Sequence, residues 1–282
     1  MPTDRQKSWL ITGAGSGFGR AIAEAALARG DLVVGTHRTD AACRAFAALA
    51  PGRAFGRELD VTDMAAIPAL IAAAEADTGG IDILVNNAGY GLVSGVEEAS
   101  PAEIRAQFEV NLFGALAVLQ AVLPGMRQRR AGRILAISSV SGMVGWPSLG
   151  IYSASKFALE GVCETLAQEV APLGILVTLV EPGGFRTDFA TRSRRQSARQ
   201  IADYDATVGA CRTLLADHGG QEFGDPAKAA QAILTIADHP APPLRLLLGP
   251  DAVRYAREKL ARQQADIAAW LELSLSTDFD AG

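Results

Sequence analysis

The stretch TGAGSGFG, residues 12–19, follows a short apolar run and precedes an alanine-rich segment. Its glycines fit the spacing T-G-x-x-x-G-x-G through Gly13, Gly17 and Gly19, whereas the more common G-x-G-x-x-G fails because Phe18 stands at its last glycine. Glycines at a strand-to-helix turn let the backbone approach a pyrophosphate, which the amides at the helix N-terminus then bind. The stretch therefore predicts a dinucleotide-binding turn, with close packing of helix on sheet as the alternative use of its glycines.

Apolar runs of strand length recur along the chain and alternate with longer segments of helical spacing. Most are continuously hydrophobic, which is typical of strands buried on both faces of a parallel sheet. The runs are SWLIT (8–12), DLVVGT (31–36), DILVNN (82–87), GRILAISS (132–139), ILVTLVE (175–181) and LRLLLG (244–249). A capping-box pattern, SPAE at 100–103, predicts that the longest helix begins near residue 101. We therefore predict an α/β fold with a single doubly wound parallel sheet, Rossmann-like, whose ligands bind beyond the carboxyl ends of the strands.

The composition indicates a globular chain with one domain spanning residues 1–282. It is 49% hydrophobic and 20% charged, which is close to the average for folded proteins. The net charge of −5 argues against nucleic acid as a partner and against attraction to anionic lipid. No apolar run reaches the roughly 20 residues of a membrane span, and the first residues do not resemble a signal peptide. We therefore expect a cytoplasmic protein without a membrane span.

Neither the cysteines nor the histidines form a metal-binding pattern. Three cysteines, an odd number, fit reduced thiols in a cytoplasmic protein. The histidines lie far apart in the sequence, and no serine-hydrolase elbow G-x-S-x-G occurs. We therefore expect no metal site. The residues concerned are Cys43, Cys163, Cys211, His37, His218 and His239.

Five motifs occur in the same order as in a known family. They are TGAGSGFG, NNAG at 86–89, Asn111, Ser139 and the pair Tyr152 and Lys156. With this order, residues 5–190 resemble the short-chain dehydrogenase/reductase family, and the stretches NNAGYG and EPGGFRT are similar to its 17β-hydroxysteroid and retinol dehydrogenase branch. The resemblance implies a single Rossmann-like domain that carries out NAD(P)-linked interconversion of a carbonyl and an alcohol.

The tyrosine and the lysine lie one helical turn apart in GIYSASKFALEG, residues 150–161. Residues four apart on a helix share a face, so Lys156 should stand beside Tyr152 with only small residues between them. A free phenol has a pKa of about 10, and a nearby ammonium lowers that pKa by favouring the phenolate. The pair therefore predicts that Tyr152 is the general acid for carbonyl reduction and the base for alcohol oxidation.

The resemblance implies a catalytic tetrad that consists of Asn111, Ser139, Tyr152 and Lys156. The family places its serine thirteen residues before the tyrosine, which selects Ser139 rather than Ser138 or Ser141. Because side chains alternate along a strand, Ser138 and Ser139 should not both reach the site. Asn111 would hold a water-linked proton path toward Lys156, and the alternative is a buried asparagine that ties its helix to a neighbour.

The resemblance also implies which residues hold the cofactor. They are Gly13, Ser16, Gly17, Phe18, Gly19, His37, Arg38, Asp60, Val61, Asn87, Ala88, Gly89, Tyr152, Lys156, Pro182, Gly183, Phe185 and Thr187. Asp60 would bond the adenine amino group, whereas Asp63 is expected to be an ordinary N-cap of the following helix. The backbone of Phe185 and the hydroxyl of Thr187 would hold the nicotinamide carboxamide, and Lys156 would bond the nicotinamide ribose.

The choice of cofactor depends on the end of the second strand, GTHRTD at 35–40. NAD-binding relatives carry an acid there, whereas this chain has His37 followed by Arg38. Arg38 could form a forked, charge-assisted contact with the 2′-phosphate of NADP. We therefore expect NADP(H) rather than NAD(H). Two features argue the other way: a shifted register would bring Asp40 toward the ribose, and Ser16 replaces the usual basic residue of the glycine turn.

Three mainly apolar segments should line the substrate pocket: GYGLVSGV (89–96), SGMVGWPSLG (141–150) and GGFRTDFA (183–190). Candidate wall residues are Leu92, Met143, Trp146 and Phe189. We therefore expect the partner to be a small-molecule carbonyl or alcohol of apolar character. A set of arginines could instead meet an acidic substrate, although such charges usually face solvent. They are Arg186, Arg192, Arg194, Arg195 and Arg199.

Two regions lie outside the main alternation of strands and helices. Residues 184–225 are predicted to form a substrate lid insertion, with a solvated surface helix as the alternative. Residues 250–282 are predicted to form a C-terminal helical tail that packs on the domain or supports an oligomer, and we expect a homodimer or homotetramer.

Two other functions are compatible with the fold, because one fold hosts many activities. A scaffold that senses NADP(H) without turnover would need neither the Tyr–Lys pair nor Ser139, so the sequence favours an enzyme. An epimerase or a dehydratase on the same fold stays open.

Overall fold

The computed structural model describes residues 6–187, 193–217 and 219–279. Seven parallel strands form the central sheet in the order β3-β2-β1-β4-β6-β7-β9, and a separate two-stranded parallel sheet pairs β5 with β8. This order confirms the predicted Rossmann-like sheet. The strands are β1 Ser8–Ile11, β2 Leu32–His37, β3 Ala54–Glu58, β4 Ile83–Asn86, β5 Gly91–Val93, β6 Gly132–Ile137, β7 Ile175–Pro182, β8 Arg194–Gln196 and β9 Arg245–Leu248.

Helices connect the strands and cover both faces of the sheet. They are α1 Gly17–Ala28, α2 Asp40–Ala47, α3 Ile67–Thr78, α4 Pro101–Phe108, α5 Ala115–Arg129, α6 Gly150–Val170, α7 Ala210–Asp217, α8 Pro226–Asp238, α9 Pro250–Ala269 and α10 Leu271–Leu275. The predicted capping box is present, because Ser100 accepts a hydrogen bond from the Glu103 amide and the Glu103 carboxylate accepts one from the Ser100 amide. A π-helical turn, Glu109–Gly114, joins α4 to α5.

Alternating side chains of the central strands feed two apolar cores, one on each face of the sheet. On β1, Leu10 packs in the core formed with α3, α5 and α6. Its neighbours Trp9 and Ile11 pack in the other core, with residues of α1, α2 and α8. The sheet is therefore rigid, and the carboxyl ends of β1, β2, β4, β6 and β7 meet along one edge.

Two sequence expectations about local structure are wrong. No strand was predicted at β3, because AFGRE is short and mixes apolar with charged residues, yet it pairs in parallel with β2 at the sheet edge. Asp63 is not a helix N-cap, because α3 begins only at Ile67 and Ala66 holds the cap position without a side-chain hydrogen bond. Asp60 instead orders this loop, since its Oδ1 accepts hydrogen bonds from the amide and the hydroxyl of Thr62.

The composite helix from α4 through α5, Pro101–Arg129, is long and apolar enough to cross a membrane by length and composition. These criteria are weak, since core helices of proteins that span no membrane also meet them. In this fold, 44% of its most apolar window is buried inside the protein. Val118, Leu119 and Val122 on its inner face lie in the core beside α3. The helix is accounted for by packing within the domain.

Candidate active site

The glycine turn lies between the carboxyl end of β1 and the N-terminus of α1. Gly13 and Gly17 adopt left-handed φ values of 68° and 52°, which side chains rarely tolerate. A Cβ at Gly19 would lie 2.4 Å from the Gly13 carbonyl oxygen and 2.5 Å from Nδ2 of Asn87. Ser16 is the N-cap of α1, and its side chain makes no capping hydrogen bond. The turn thus leaves its backbone open at a helix N-terminus, which fits a pyrophosphate.

Hydrogen bonds fix this turn to the neighbouring strand ends. The Asn87 side-chain amide donates to the carbonyl oxygens of Thr12 (2.9 Å) and Gly13 (3.1 Å). Thr12 Oγ1 accepts from the amides of Asn87 (2.9 Å) and Ala88 (3.0 Å), and Thr36 Oγ1 accepts from the Gly13 amide at 3.1 Å. Sequence reasoning missed the role of Thr12, although it is the first residue of the T-G-x-x-x-G-x-G pattern.

Tyr152 and Lys156 lie on the first turns of α6, and both are buried. The Lys156 ammonium donates a hydrogen bond to the Ile137 carbonyl oxygen at 2.8 Å and lies 6.0 Å from the centre of the Tyr152 ring. Burial raises the pKa of Tyr152 to about 12, and the hydrogen bond with Ser139 opposes this shift. Burial lowers the pKa of Lys156 to about 8, although the negative charges of Glu160 and Cys163 oppose it.

The expectation that Lys156 lowers the pKa of Tyr152 is therefore not met in this structure. Loss of water around the phenol raises its pKa and outweighs the hydrogen bond with Ser139, while Lys156 directs its own hydrogen bond at the Ile137 carbonyl oxygen. Tyr152 is protonated at neutral pH, which is the state that a proton donor needs.

Ser139 follows β6 and precedes a 3₁₀ turn, Val140–Gly142. Its Oγ accepts a hydrogen bond from the Ser141 amide at 3.0 Å, so its own proton remains available to Tyr152 or to a ligand. Ser138 lies elsewhere, as strand alternation predicts. A Cβ at Gly142 would lie 2.7 Å from Ser138 Oγ and 2.9 Å from Cγ of Glu160, so these groups share one crowded site behind the loop.

Asn111 lies in the π-helical turn and is buried. Its side-chain amide donates to the Tyr90 carbonyl oxygen (3.0 Å) and to Ser155 Oγ (3.2 Å), and its Oδ1 accepts from the Tyr90 amide (3.1 Å). These bonds tie the Tyr90 loop to α6. A Cβ at Gly89 would lie 3.2 Å from Asn111 Oδ1 and 3.7 Å from Lys156 Nζ, so both side chains converge there. The proton path through Asn111 stays a prediction.

The ribose edge of the site carries no acid at the end of β2. His37 is buried there with its ring centre 4.9 Å from that of Phe46, and its Nε2 has no hydrogen-bond partner among the described residues. Burial and the nearby Arg20 cation lower the pKa of His37, so the imidazole is neutral. Arg38 is exposed and lies near Asp60, whose pKa is lowered mainly by the two hydrogen bonds from Thr62 and slightly by Arg38.

Two details bear on cofactor choice. Asp40 begins α2 and forms an ion pair with Arg44, so its carboxylate is engaged within the helix rather than at the strand end. Arg20, which directly follows Gly19, is close enough to His37 to affect its pKa. Sequence reasoning missed Arg20, and its position immediately after the last glycine of the turn was the available signal.

The turn after β7 faces the glycine turn. The ring of Phe185 meets that of Phe18 edge to face at 5.1 Å. The Gly184 amide donates to the Asp251 carboxylate at 2.7 Å, which anchors this turn to the start of α9. A Cβ at Gly17 would lie 3.4 Å from Cβ of Thr187. Pro182 ends β7, and Gly183 packs against Asp251. The structure therefore brings the predicted nicotinamide-binding residues next to the predicted pyrophosphate-binding turn.

An apolar wall stands beside the catalytic serine loop. Met143, Val144 and Trp146 pack with Tyr255 of α9, and the two aromatic rings meet edge to face at 5.3 Å. Leu92 of β5 is buried. Phe189 and Arg192, which were predicted to line the pocket or to meet substrate, lie outside the described residues, as does His218.

The other predicted arginines make contacts within the protein. Arg186 donates to the Glu222 carbonyl oxygen and Arg194 to that of Leu215. The guanidinium of Arg195 lies 4.8 Å from the centre of the Tyr90 ring, and Arg199 bonds the backbone and side chain of Glu97. These contacts favour a structural role over the binding of an acidic substrate.

The segment from β8 to α7 docks on the loop after β5 around one buried carboxylate. Glu98 is 2% exposed. It accepts hydrogen bonds from the amides of Gly95 (2.9 Å) and Ile201 (2.9 Å) and from the guanidinium of Arg212 (2.7 Å). Burial raises the pKa of Glu98, but these hydrogen bonds outweigh burial and lower it overall. The predicted lid is thus attached at this end, and its mobility stays a prediction.

The titratable side chains of the described residues do not cluster as metal ligands would. No group of three or more His, Cys, Asp or Glu side chains among these residues could hold a metal ion. The three cysteines are free, and Cys43 and Cys163 are buried.

Comparison with known proteins identifies the family. A family model described as short chain dehydrogenase matches residues 7–198. The chain belongs to the short-chain dehydrogenase family. It is therefore an oxidoreductase of a family that binds NAD(P)(H) and acts on CH–OH groups of small molecules.

Three relatives place the chain within the family. An oxidoreductase of Botryotinia fuckeliana is 41% identical, with 96% of this chain and 99% of the relative covered. The 3-ketodihydrosphingosine reductase of Bacteroides thetaiotaomicron is 37% identical over 86% of this chain and 87% of its own length. Human retinol dehydrogenase 8 is 36% identical over 84% of this chain and 79% of its own length. These relatives confirm the predicted retinol dehydrogenase-like branch.

Two solved structures share the fold. A short-chain dehydrogenase from Streptomyces avermitilis is 44% identical and superposes with a TM-score of 0.92, covering 98% of this chain and all of its own. A short-chain dehydrogenase/reductase from Burkholderia phymatum, solved in complex with NAD, is 29% identical with a TM-score of 0.79, covering 93% of this chain and 97% of its own.

Proposed function

We propose that this short-chain dehydrogenase is an NADP(H)-dependent oxidoreductase that interconverts an apolar aldehyde or ketone and the corresponding primary or secondary alcohol. The observation that carries the proposal is the convergence of Ser139, Tyr152 and Lys156 beside the glycine turn, at the carboxyl edge of the sheet. When bound, the nicotinamide supplies the hydride for reduction or accepts it in oxidation.

In the direction of reduction, the Ser139 hydroxyl holds the carbonyl oxygen of the substrate, because its Oγ already accepts from Ser141 and its proton is available to donate. Tyr152, protonated at neutral pH, gives its proton to that oxygen as negative charge develops. The ammonium of Lys156 stabilises the resulting phenolate once its hydrogen bond turns from Ile137 toward the reacting groups. In oxidation the same phenolate accepts the proton of the alcohol.

The preference for NADP(H) is supported by charges at the ribose edge. Arg38 places a cation near the end of β2, where the neutral His37 stands instead of an acid, and Arg20, which is paired with Glu24, lies close enough to His37 to lower its pKa. A 2′-phosphate would be attracted here, whereas the ribose hydroxyls of NAD would find no carboxylate at His37. The Burkholderia phymatum relative was solved in complex with NAD. The choice between NAD(H) and NADP(H) is therefore to be measured on this protein itself.

The apolar character of the substrate is supported by the wall of Met143, Val144, Trp146 and Tyr255. It is also supported by the relatives named for retinol and for 3-ketodihydrosphingosine, both largely hydrocarbon molecules with a reactive oxygen. The internal contacts of the described arginines speak against an acidic substrate.

A homodimer or homotetramer belongs to the same proposal. Every residue from 261 to 279 is exposed, and this part of α9 and α10 carries Ile267, Trp270, Leu271 and Leu273. An isolated helix with exposed apolar side chains gains stability from a partner surface. Light scattering on the full chain checks the expectation, and a monomer at all concentrations would contradict it.

The test is oxidation of NADPH by the pure protein with a panel of aldehydes and ketones of increasing chain length. Each compound is paired with an analogue that carries a terminal carboxylate. We expect turnover that rises with apolar chain length and is weaker with each acidic partner, and transfer of deuterium from labelled NADPH to the product carbon. Binding of NADPH without turnover on any compound would instead support a sensing scaffold.

A further inference from the structure

Two buried glutamates lie behind the catalytic residues and have no part in the mechanism above. Glu160 is on α6, one turn after Lys156, and Glu181 is near the end of β7. Their exposed fractions are 5% and 0%. Neither oxygen of Glu181 accepts a hydrogen bond from an N–H or O–H donor among the described residues, whereas Glu160 has the hydroxyl of Ser138 beside it, which favours the ionised form of Glu160. Buried carboxylates are costly unless such donors or a proton satisfy them.

One cation faces both carboxyl groups. Nε of Arg245 on β9 lies 3.1 Å from Glu160 Oε2 and 3.3 Å from Glu181 Oε1, while its Nη2 donates to Glu164 at 2.6 Å. Other charged or titratable groups that face the pair come from α6, namely Lys156 and Cys163. A single guanidinium shared by three carboxyl groups cannot neutralise two buried carboxylates.

A shared proton resolves this imbalance. Both carboxyl groups lie against the same Arg245 Nε, at 3.1 and 3.3 Å, and each shifts the pKa of the other, so a protonated Glu181 can donate to Glu160. Burial, and then the negative charge of Glu160, raise the pKa of Glu181 to about 8. Burial also raises the pKa of Glu160, against the attraction of Arg245. Two carboxyl groups at close range commonly hold one proton between them for this reason.

The pair touches the catalytic machinery on two sides. Glu160 lies on the same face of α6 as Lys156, four residues away, and its negative charge opposes the lowering of the Lys156 pKa. On the other side, Gly142 of the serine loop leaves no space above Glu160, since a Cβ there would lie 3.0 Å from Glu160 Oε1. The pair thus supports the loop that carries Ser139 and sets part of the electric field at Lys156.

We propose that Glu160 and Glu181 share one proton and act as a positioning pair, whose charge holds Lys156 in its ammonium form during the reaction. When the pair loses its proton in alkaline solution, the added negative charge keeps Lys156 protonated to a higher pH than it would otherwise be. Neither glutamate contacts the reacting atoms, and their effect passes through Lys156 and the serine loop.

The shared proton is tested without any activity measurement. A buried protonated carboxyl gives its own C=O stretching band in the infrared spectrum, distinct from carboxylate bands. We expect this band in the wild-type protein at neutral pH, its loss as the pH rises through about 8, and its absence in Glu181→Gln. Absence of the band in the wild type, or its persistence in both Glu181→Gln and Glu160→Gln, would overturn the proposal.

The positioning role is tested by the pH profile of kcat. Unlike the infrared measurement, this test rests on the proposed oxidoreductase function. In Glu181→Gln the added charge cannot form, so we expect the alkaline loss of activity to move to lower pH by about one unit. Glu160→Gln should shift it in the same direction. Glu164→Gln is the matched control, since Glu164 bonds the same arginine but is half exposed, and it should leave the profile unchanged. An unshifted profile in both buried variants, or an equal shift in the control, would contradict the role.

Discussion

Glu98 and Glu181 are both almost completely shielded from solvent, yet the pKa values of their carboxyl groups shift in opposite directions. Glu98 receives two amide hydrogen bonds and one from Arg212, and its pKa is lowered. Glu181 receives no hydrogen bond from an N–H or O–H donor of the described residues, and its pKa is raised to about 8. Both side chains are shielded from solvent, but Glu181 lies deeper in the protein and has fewer donors, and these two differences together set the charge of each carboxyl group.

The difference follows from how each region is held together. The sheet edge under the active site is held by strand pairing and apolar cores. Few hydrogen-bond donors are therefore near its glutamates, and their pKa values rise. The segment from β8 to α7 has little apolar burial, and the ionised Glu98 fastens it to the loop after β5. The catalytic edge is therefore held by apolar packing, whereas the segment from β8 to α7 is held mainly by polar contacts, of which Glu98 is the most buried.

The largest effect is expected from Glu98→Ala. The change leaves Arg212 and two amides without their buried partner, and breaking a buried pair of this kind costs about 3–5 kcal/mol. We expect hydrogen exchange to accelerate across residues 193–217 while the central sheet remains protected. Glu97→Ala is the control, because Glu97 contacts the same segment from an exposed position. Unchanged exchange in Glu98→Ala would show that the segment is held by other contacts.

A smaller effect is expected from pH on the stability of the sheet edge. Because the folded pKa of Glu181 is raised above its ordinary value of 4.5, its contribution to stability is complete below that pH and is lost as pH rises through about 8. The full shift from 4.5 to about 8 corresponds to a decline of at most about 5 kcal/mol, and Glu181→Gln should remove most of it. Denaturant unfolding across this pH range measures the slope. Equal slopes in both proteins would contradict the assigned charge state.

The smallest effect concerns Arg38, an exposed cation at the ribose edge. A charged hydrogen bond contributes about 1.5–3 kcal/mol, so Arg38→Ala should weaken NADPH binding by about 10- to 100-fold and leave NADH binding nearly unchanged. The control is Arg44→Ala, since Arg44 is an exposed arginine of α2 that is paired with Asp40. Equal losses for NADPH and NADH would remove Arg38 from cofactor selection, and equal wild-type affinities would contradict the preference itself.

Much of the fold and the placement of the candidate site followed from local sequence patterns. The glycine turn, the buried strands and the start of α4 each depend on residues close in sequence, so their spacing is informative. Strand alternation separated Ser139 from Ser138 for the same reason. The strand β3 was missed because an edge strand need not be continuously apolar.

The charged centres could not be predicted in this way. Glu98 bonds Ile201, 103 residues away in the sequence, and Glu160 bonds Arg245, 85 residues away. No local sequence pattern predicts either contact. The same limit explains the pKa of Tyr152. Its spacing to Lys156 is visible in the sequence, but the burial that raises the pKa depends on the whole domain.

Tyr152 is proposed to donate the proton in a nicotinamide-linked carbonyl reduction. The most direct measurement compares the wild type with Tyr152→Phe in turnover of the preferred apolar substrate and in the dissociation constant of NADPH. Tyr204→Phe is the control, because the Tyr204 hydroxyl bonds Glu97 at the surface. We expect turnover to fall by about 10²- to 10⁴-fold in Tyr152→Phe while NADPH affinity changes by less than about twofold, because only the proton donor is lost. Near-normal turnover in Tyr152→Phe would contradict the role of Tyr152 as the proton donor.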